Sequence, residues 1–249
     1  MSSNESPFWL VPQWPAPSQV RAVSTLRFGG ASVGDFDNFN LAMHVGDDPD
    51  AVLGNRRRLR EALGLQREPA WLNQVHGVTV IEAKEFAAPP SADASFSREA
   101  GQACVVMTAD CLPVLLCDRA GTRVAAAHAG WRGLVNGVLK ATVDALDVRP
   151  SELLAWMGPA IEQDAFEVGD EVREQFIARD PQDHVAFVAN DRGRWQADLY
   201  ELARRELKRL GLSEIHGGGY RCFSDSERFF SYRRSARTGR MATMVWIER

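Results

Sequence analysis

Histidine is scarce in this 249-residue chain: there are five, with no His-x-His pair, which excludes a centre built from many clustered imidazoles. Lysine is scarcer still. Lys84, Lys140 and Lys208 stand against 26 arginines, an imbalance that codon bias accounts for at most positions. Arginine's rigid donor fork suits phosphate and carboxylate recognition, so only particular arginines carry a functional reading. The four cysteines are Cys104, Cys111, Cys117 and Cys222. Three of them crowd onto neighbouring apolar segments, which is no disulfide framework and points to a reducing, cytoplasmic setting. No apolar run approaches the ~20 residues that span a bilayer. The start, from Met1 to Pro7, lacks the basic segment of a secretory signal. Basic charge is not in excess either, since 29 Lys+Arg against 33 Asp+Glu leave a net charge of −4. That balance argues against nucleic acid or a membrane surface as partner.

What is present is ordinary for a globular protein, with 45% hydrophobic and 25% charged residues. At this length a fold buries about 70–75% of its unfolded surface, so neither a metal nor a disulfide is needed to hold it together. There is no repeat, no low-complexity block and no long linker. The loop-like stretch 87–92 is too short to divide the chain, which reads as a single domain over residues 1–249 and as a monomer.

Short runs rich in β-branched residues predict strands at 20–24, 78–82, 103–107, 113–117, 123–127, 153–157 and 241–247. Several are apolar on both faces, as in a sheet covered on both sides. Apolar residues from Leu134 to Leu146 recur at three- and four-residue steps and predict one helix from Gly133. A second helix follows Asp198, a good N-cap, and stops at Gly211; 169–178 and 55–63 are two more. Strands and helices intermingle without strict alternation, which favours layered α+β over a doubly wound parallel sheet.

His76 stands just before one predicted strand, and His128 ends another where a helix begins. Cys111 lies at a break between two apolar strands. All three occupy strand ends beside turn residues, where a rigid scaffold presents functional groups. Two imidazoles and a thiolate are a ligand set for catalytic zinc, with a fourth position open to substrate. Their separations match no local zinc-finger pattern, so only the fold could bring them together. The alternative is a core cysteine with two unrelated histidines. Small residues at 125–127, Ala129 and Gly130 clear space around His128, and Gly77 does so after His76. Asp110, beside Cys111, suits a hydrogen-bond or proton acceptor, or a cap for the turn before Pro113. His44 sits in a polar loop and is either structural or substrate-facing, while His184 and His216 have no suggestive neighbours.

Ten ordered segments carry a resemblance. They are Arg27-Phe28-Gly29-Gly30, Asn40-Leu41, His44-Val45-Gly46-Asp47, Asn73-Gln74-Val75-His76-Gly77, and Thr108-Ala109-Asp110-Cys111-Leu112-Pro113. They continue with His128-Ala129-Gly130-Trp131-Arg132-Gly133, Gly158-Pro159-Ala160-Ile161, Phe166-Glu167-Val168-Gly169, and Phe229-Phe230-Ser231-Tyr232-Arg233-Arg234. Thr238-Gly239-Arg240-Met241-Ala242 closes the set. Together they resemble the laccase-domain family, also called the polyphenol oxidase or peptidoglycan editing factor family. The resemblance implies one four-layer α/β/β/α domain with mixed sheets, cysteine-hydrolase-like, and a zinc held by His76, Cys111 and His128. It also implies phosphate-dependent cleavage of purine nucleosides, with adenosine deamination as a second activity. Within the matching motifs, Arg27, Gln74, Arg132, Arg233 and Arg240 become candidates for substrate or phosphate, although each arginine also suits a structural ion pair. Leu26, the stretch 162–165 and Phe223 depart from the family pattern, which bears on substrate preference but not on the metal ligands.

Two other functions fit the same residues. His₂Cys also binds copper, the alternative ion here, and would support laccase-like phenol oxidation. A multicopper oxidase, however, needs a further many-histidine cluster that five histidines cannot build. Without metal, Cys111 could act as a nucleophile with His76 or His128 as base, an amidase arrangement suited to peptidoglycan precursors.

Overall fold

The computed structural model describes residues 8–248. Its strands are β1 (Trp9–Leu10), β2 (Val20–Thr25), β3 (Val80–Glu82), β4 (Ala94–Ser97), β5 (Cys104–Thr108), β6 (Leu112–Asp118) and β7 (Val124–Ala129). They continue as β8 (Leu153–Met157), β9 (Glu167–Val168), β10 (Phe187–Ala189), β11 (Trp195–Ala197), β12 (Glu214–Gly217) and β13 (Met241–Ile247). The helices are α1 (Pro49–Ala62), α2 (Trp131–Asn136), α3 (Val138–Leu146), α4 (Asp170–Arg179) and α5 (Leu199–Arg209).

Two sheets face each other. One is antiparallel with order β1-β2-β13-β5, and the other is mixed with order β12-β8-β6-β7-β4-β3; β10-β11-β9 form a small third sheet. The period-2 alternation of strands assigns side chains to layers. Leu115 and Cys117 on β6, Val124 and Ala126 on β7, and Leu154 and Trp156 on β8 point to the inter-sheet core. There they meet Val20, Ala22, Cys104, Val106, Val245 and Ile247 of the facing sheet. Their odd-even neighbours, including Leu112, Val114, Leu116, Ala125, Ala127 and Met157, pack against α2 to α5. On the far side Val23, Val105, Met244 and Trp246 pack against Leu59 of α1. The fold is therefore α+β in four layers, α/β/β/α. Strands β6, β7 and β8 are buried along their whole length because helices cover one face and a second sheet the other.

The helices follow from local chemistry. Asp48 caps α1 by accepting from Asp50 N, with Pro49 in the first turn, so this helix begins earlier than the predicted 55–63. Asp198 caps α5 through Glu201 N, as its position suggested. The stripe predicted as one helix from Gly133 is two, broken at Gly137, whose φ of +95° lies in the left-handed region. The apolar spacing survives the break because both halves turn the same face to the sheet. Strand β4 was not apparent from the sequence: Ala-Ser-Phe-Ser is too short and polar to stand out.

Candidate metal centre

Strand register assembles the site at one end of the mixed sheet. Leu112 pairs with Ala129 and Pro113 with His128, which puts Cys111, one residue before β6, level with Gly130. Cys111 and His128 are thus diagonal neighbours on the inter-sheet face. On the other side of β7, Ala94 pairs with Ala127, so Asp93 stands directly across from His128, and His128 N donates to Asp93 O at 2.7 Å. The His76 loop closes over this corner. Gln74 fastens it to β5, its Nε2 donating to Met107 O at 2.8 Å and its Oε1 accepting from Met107 N at 2.7 Å.

The sequence-separated histidines and cysteine therefore converge. One atom capable of binding a metal from each of His76, Cys111 and His128 lies within 4.8 Å of the other two, the one such group of three or more among the described residues. Cys111 Sγ is 3.8 Å from His76 Nε2, and the two imidazoles meet edge to face with centroids 4.8 Å apart. Zinc-like bond lengths and tetrahedral angles require ligand atoms roughly 3.3–3.6 Å apart. A small contraction satisfies that. His128 is buried, Cys111 half-buried and His76 exposed, which leaves one side open. The donor set and its spacing fit a zinc-type ion.

Backbone conformation marks the same place. Three non-glycine residues among those described have positive φ, and two of them are His76 (59°) and Asp110 (92°). Left-handed backbone at non-glycine residues is sparsely populated and persists where the surroundings impose it, often at functional sites. Electrostatics add to this. Burial raises the Cys111 thiol, but His128 and His76 outweigh it and hold the thiol below its ordinary value. Burial lowers His128, while Cys111 and Asp93 outweigh it and lift the imidazole above its usual range. Cys104 and Cys117, buried without such partners, are pushed up to about 12.

Asp93 is the residue that sequence reasoning missed. Its carboxylate is buried and accepts from Val75 N (3.2 Å), His76 N (2.9 Å), Gly77 N (2.6 Å) and His128 Nδ1 (2.8 Å). The signal was an acid at the mouth of a small-residue segment, invisible until β4 is recognised as β7's neighbour.

The remaining candidates fall into different settings. Asp110 Oδ2 accepts from Arg233 N at 2.6 Å, tying the Cys111 turn to the 230s loop. Arg27 spends Nε and Nη2 on Asp37 O and Nη1 on Ser226 O, and stacks on Phe230. Arg233 donates through Nη1 to Glu167 O and lies over Phe166. Arg240 is lowered by burial but stands close enough to Cys111 and Asp110 for both to raise it; its Nη1 donates to Thr238 O and Gly239 O. Arg132, exposed in the first turn of α2, stacks on Trp131 with no hydrogen bond or ion pair among the described residues. His44 is exposed and lowered by burial and by Arg240 and Arg56, whereas His184 contacts Pro181 O and His216 contacts Glu214.

Comparison with known proteins places this architecture. Residues 21–248 match the family described as multi-copper polyphenol oxidoreductase laccase. A purine nucleoside phosphorylase of Pseudomonas aeruginosa is 58% identical over 245 residues, covering 96% of this chain and 98% of that protein. The Escherichia coli purine nucleoside phosphorylase YfiH is 51% identical over 239 residues, with coverages of 96% and 98%. A Neisseria meningitidis protein of known crystal structure superposes with a TM-score of 0.94 at 48% identity, covering 97% of this chain and 99% of that one.

Proposed function

The chain belongs to the laccase-type polyphenol oxidoreductase family, and from that membership and the geometry of the site we propose that it is a zinc-dependent purine nucleoside phosphorylase with adenosine deaminase activity. The observation that carries the reading is the convergence of His76, Cys111 and His128 into one half-open ligand set, in a chain whose relatives bear the phosphorylase name.

His76, Cys111 and His128 would hold the ion. When bound, zinc supplies Lewis-acid polarisation of a substrate atom at the open position. The chain's own residues do the rest. Gly130 keeps the space beside Cys111 clear, since a Cβ there would lie 2.9 Å from Sγ. Arg132, two residues beyond Gly130 and with a guanidinium that makes no hydrogen bond or ion pair among the described residues, is the best placed of the five expected residues to pair with phosphate; Gln74, Arg27, Arg233 and Arg240 are engaged in holding loops. Phosphorolysis needs that anion held in line with the anomeric carbon, which is a positioning task.

Copper-dependent phenol oxidation is the weaker reading, because no second group of three ligands for an oxygen-reducing cluster occurs among the described residues. Incubating inosine or adenosine with the purified protein, with and without phosphate and beside a phenolic dye, separates these. Ribose 1-phosphate and free base are expected only with phosphate, inosine also forms from adenosine, and Cys111→Ala abolishes turnover. Arg132→Lys raises the KM for phosphate. Dye oxidation with intact nucleosides would hand the function to the oxidase reading. Turnover of neither, with release of an amino acid from a muramoyl-peptide precursor, would hand it to the amidase.

A further inference from the structure

A carboxylate removed from water and left without a cation is costly, and Asp93 has neither lysine nor arginine as partner. Its compensation comes almost wholly from the site. Three of its donors are consecutive backbone N–H groups of the loop that carries His76, and the fourth is the His128 ring. The two oxygens divide the work. Oδ1 accepts from His76 N and His128 Nδ1, while Oδ2 accepts from Gly77 N and Val75 N.

We infer that Asp93 is the positioning residue of the centre, a single carboxylate opposite His128 on the β4–β7 pair that orients both histidines at once. By accepting the hydrogen bond from Nδ1–H it fixes the His128 tautomer with Nε2 bare, the nitrogen then free to serve as ligand on the Cys111 side. By gathering the N–H groups of residues 75–77 it holds His76 in its left-handed backbone conformation, which a non-glycine residue does not keep unaided. The inference rests on the metal reading above, and it concerns how the ligands are held rather than what they catalyse.

An asparagine is the sharpest probe because it keeps shape and removes one acceptor. Its single oxygen can serve one pair of donors, and its NH₂ must face the other. Facing His128, it drives the proton to Nε2. Facing Gly77 and Val75, it repels the His76 loop. Both outcomes weaken metal binding. The test is zinc affinity by competition with a chelating dye, using full-length wild type, Asp93→Asn and Asp183→Asn. Asp183 is an equally buried carboxylate, but it pairs with Arg205 and Arg209 in the helical layer. Amide exchange of Val75 to Gly77 is followed in the metal-free proteins. Asp93→Asn should lose about 10- to 100-fold in zinc affinity and exchange those amides faster, while Asp183→Asn keeps wild-type values in both. Wild-type affinity in Asp93→Asn, or equal losses in both variants, overturns the inference. A wild type that takes up no zinc removes the metal reading and the inference with it. Should Asp93→Asn not fold, nitrogen NMR of the zinc-loaded wild type decides: His128 protonated at Nδ1 supports the assignment, and protonated at Nε2 overturns it.

Discussion

A methyl group on Gly130 would sit 2.9 Å from Cys111 Sγ and 3.1 Å from His76 Cδ2, crowding the proposed metal-binding cluster. The backbone there, at φ −61° and ψ 158°, is open to any residue, so alanine adds crowding without backbone strain. Gly130→Ala should therefore fold normally and bind zinc at least ~10-fold more weakly, since misplaced ligands cost affinity of that order. Urea denaturation and a zinc titration check both halves, and wild-type zinc affinity would contradict the packing argument. Single residues also explain why one cysteine in four is chemically distinct. Cys111 has two imidazoles beside it to hold a thiolate, whereas burial dominates at Cys104 and Cys117, which have no imidazole partner, and Asp118 adds to the rise at Cys117.

The helical layer depends on caps that the sequence announces. Asp198 accepts from Glu201 N at 3.0 Å, and without it that first-turn N–H loses its partner. Asp198→Ala should cost about 1 kcal/mol, read from the urea midpoint, with zinc uptake unchanged because α5 contributes no ligand. An unaltered midpoint would remove the capping account. The same elements show what sequence makes legible. Asp198 and Gly211 bracket α5 through side-chain and conformational chemistry that acts locally, so the helix was readable. His76, Cys111 and His128 are legible as strand-end residues in small-residue surroundings, but their separations of 35 and 17 residues encode no convergence, and only the family resemblance joins them into one set. Asp93 is not legible, because its role arises from the register of β4 against β7, a pairing of residues 94–97 with 124–127 that no local pattern encodes. Gly137 failed for the opposite reason: apolar spacing runs through it, and only its positive φ reveals two helices.

At the scale of the molecule, the core between the two sheets is built from apolar side chains, Cys104 and Cys117 among them, with no part in the site. Metal removal should therefore leave a folded protein. Linkage gives about 2.7 kcal/mol at free zinc 100-fold above its dissociation constant, and for ~250 residues that corresponds to a Tm rise of about 5–10 °C. Calorimetry of chelated and reloaded protein checks this; a chelated chain that is unfolded, or a Tm that zinc does not move, would contradict it. The central claim joins this metal to phosphorolysis, and one measurement tests both. Zinc is titrated into metal-free protein in the presence of inosine and phosphate, and ribose 1-phosphate formation is followed. The account predicts no product without metal, a rise that saturates at one zinc per chain, and no product at any zinc level when phosphate is omitted. Full phosphorolysis in metal-free protein, or base release that ignores phosphate, would contradict it.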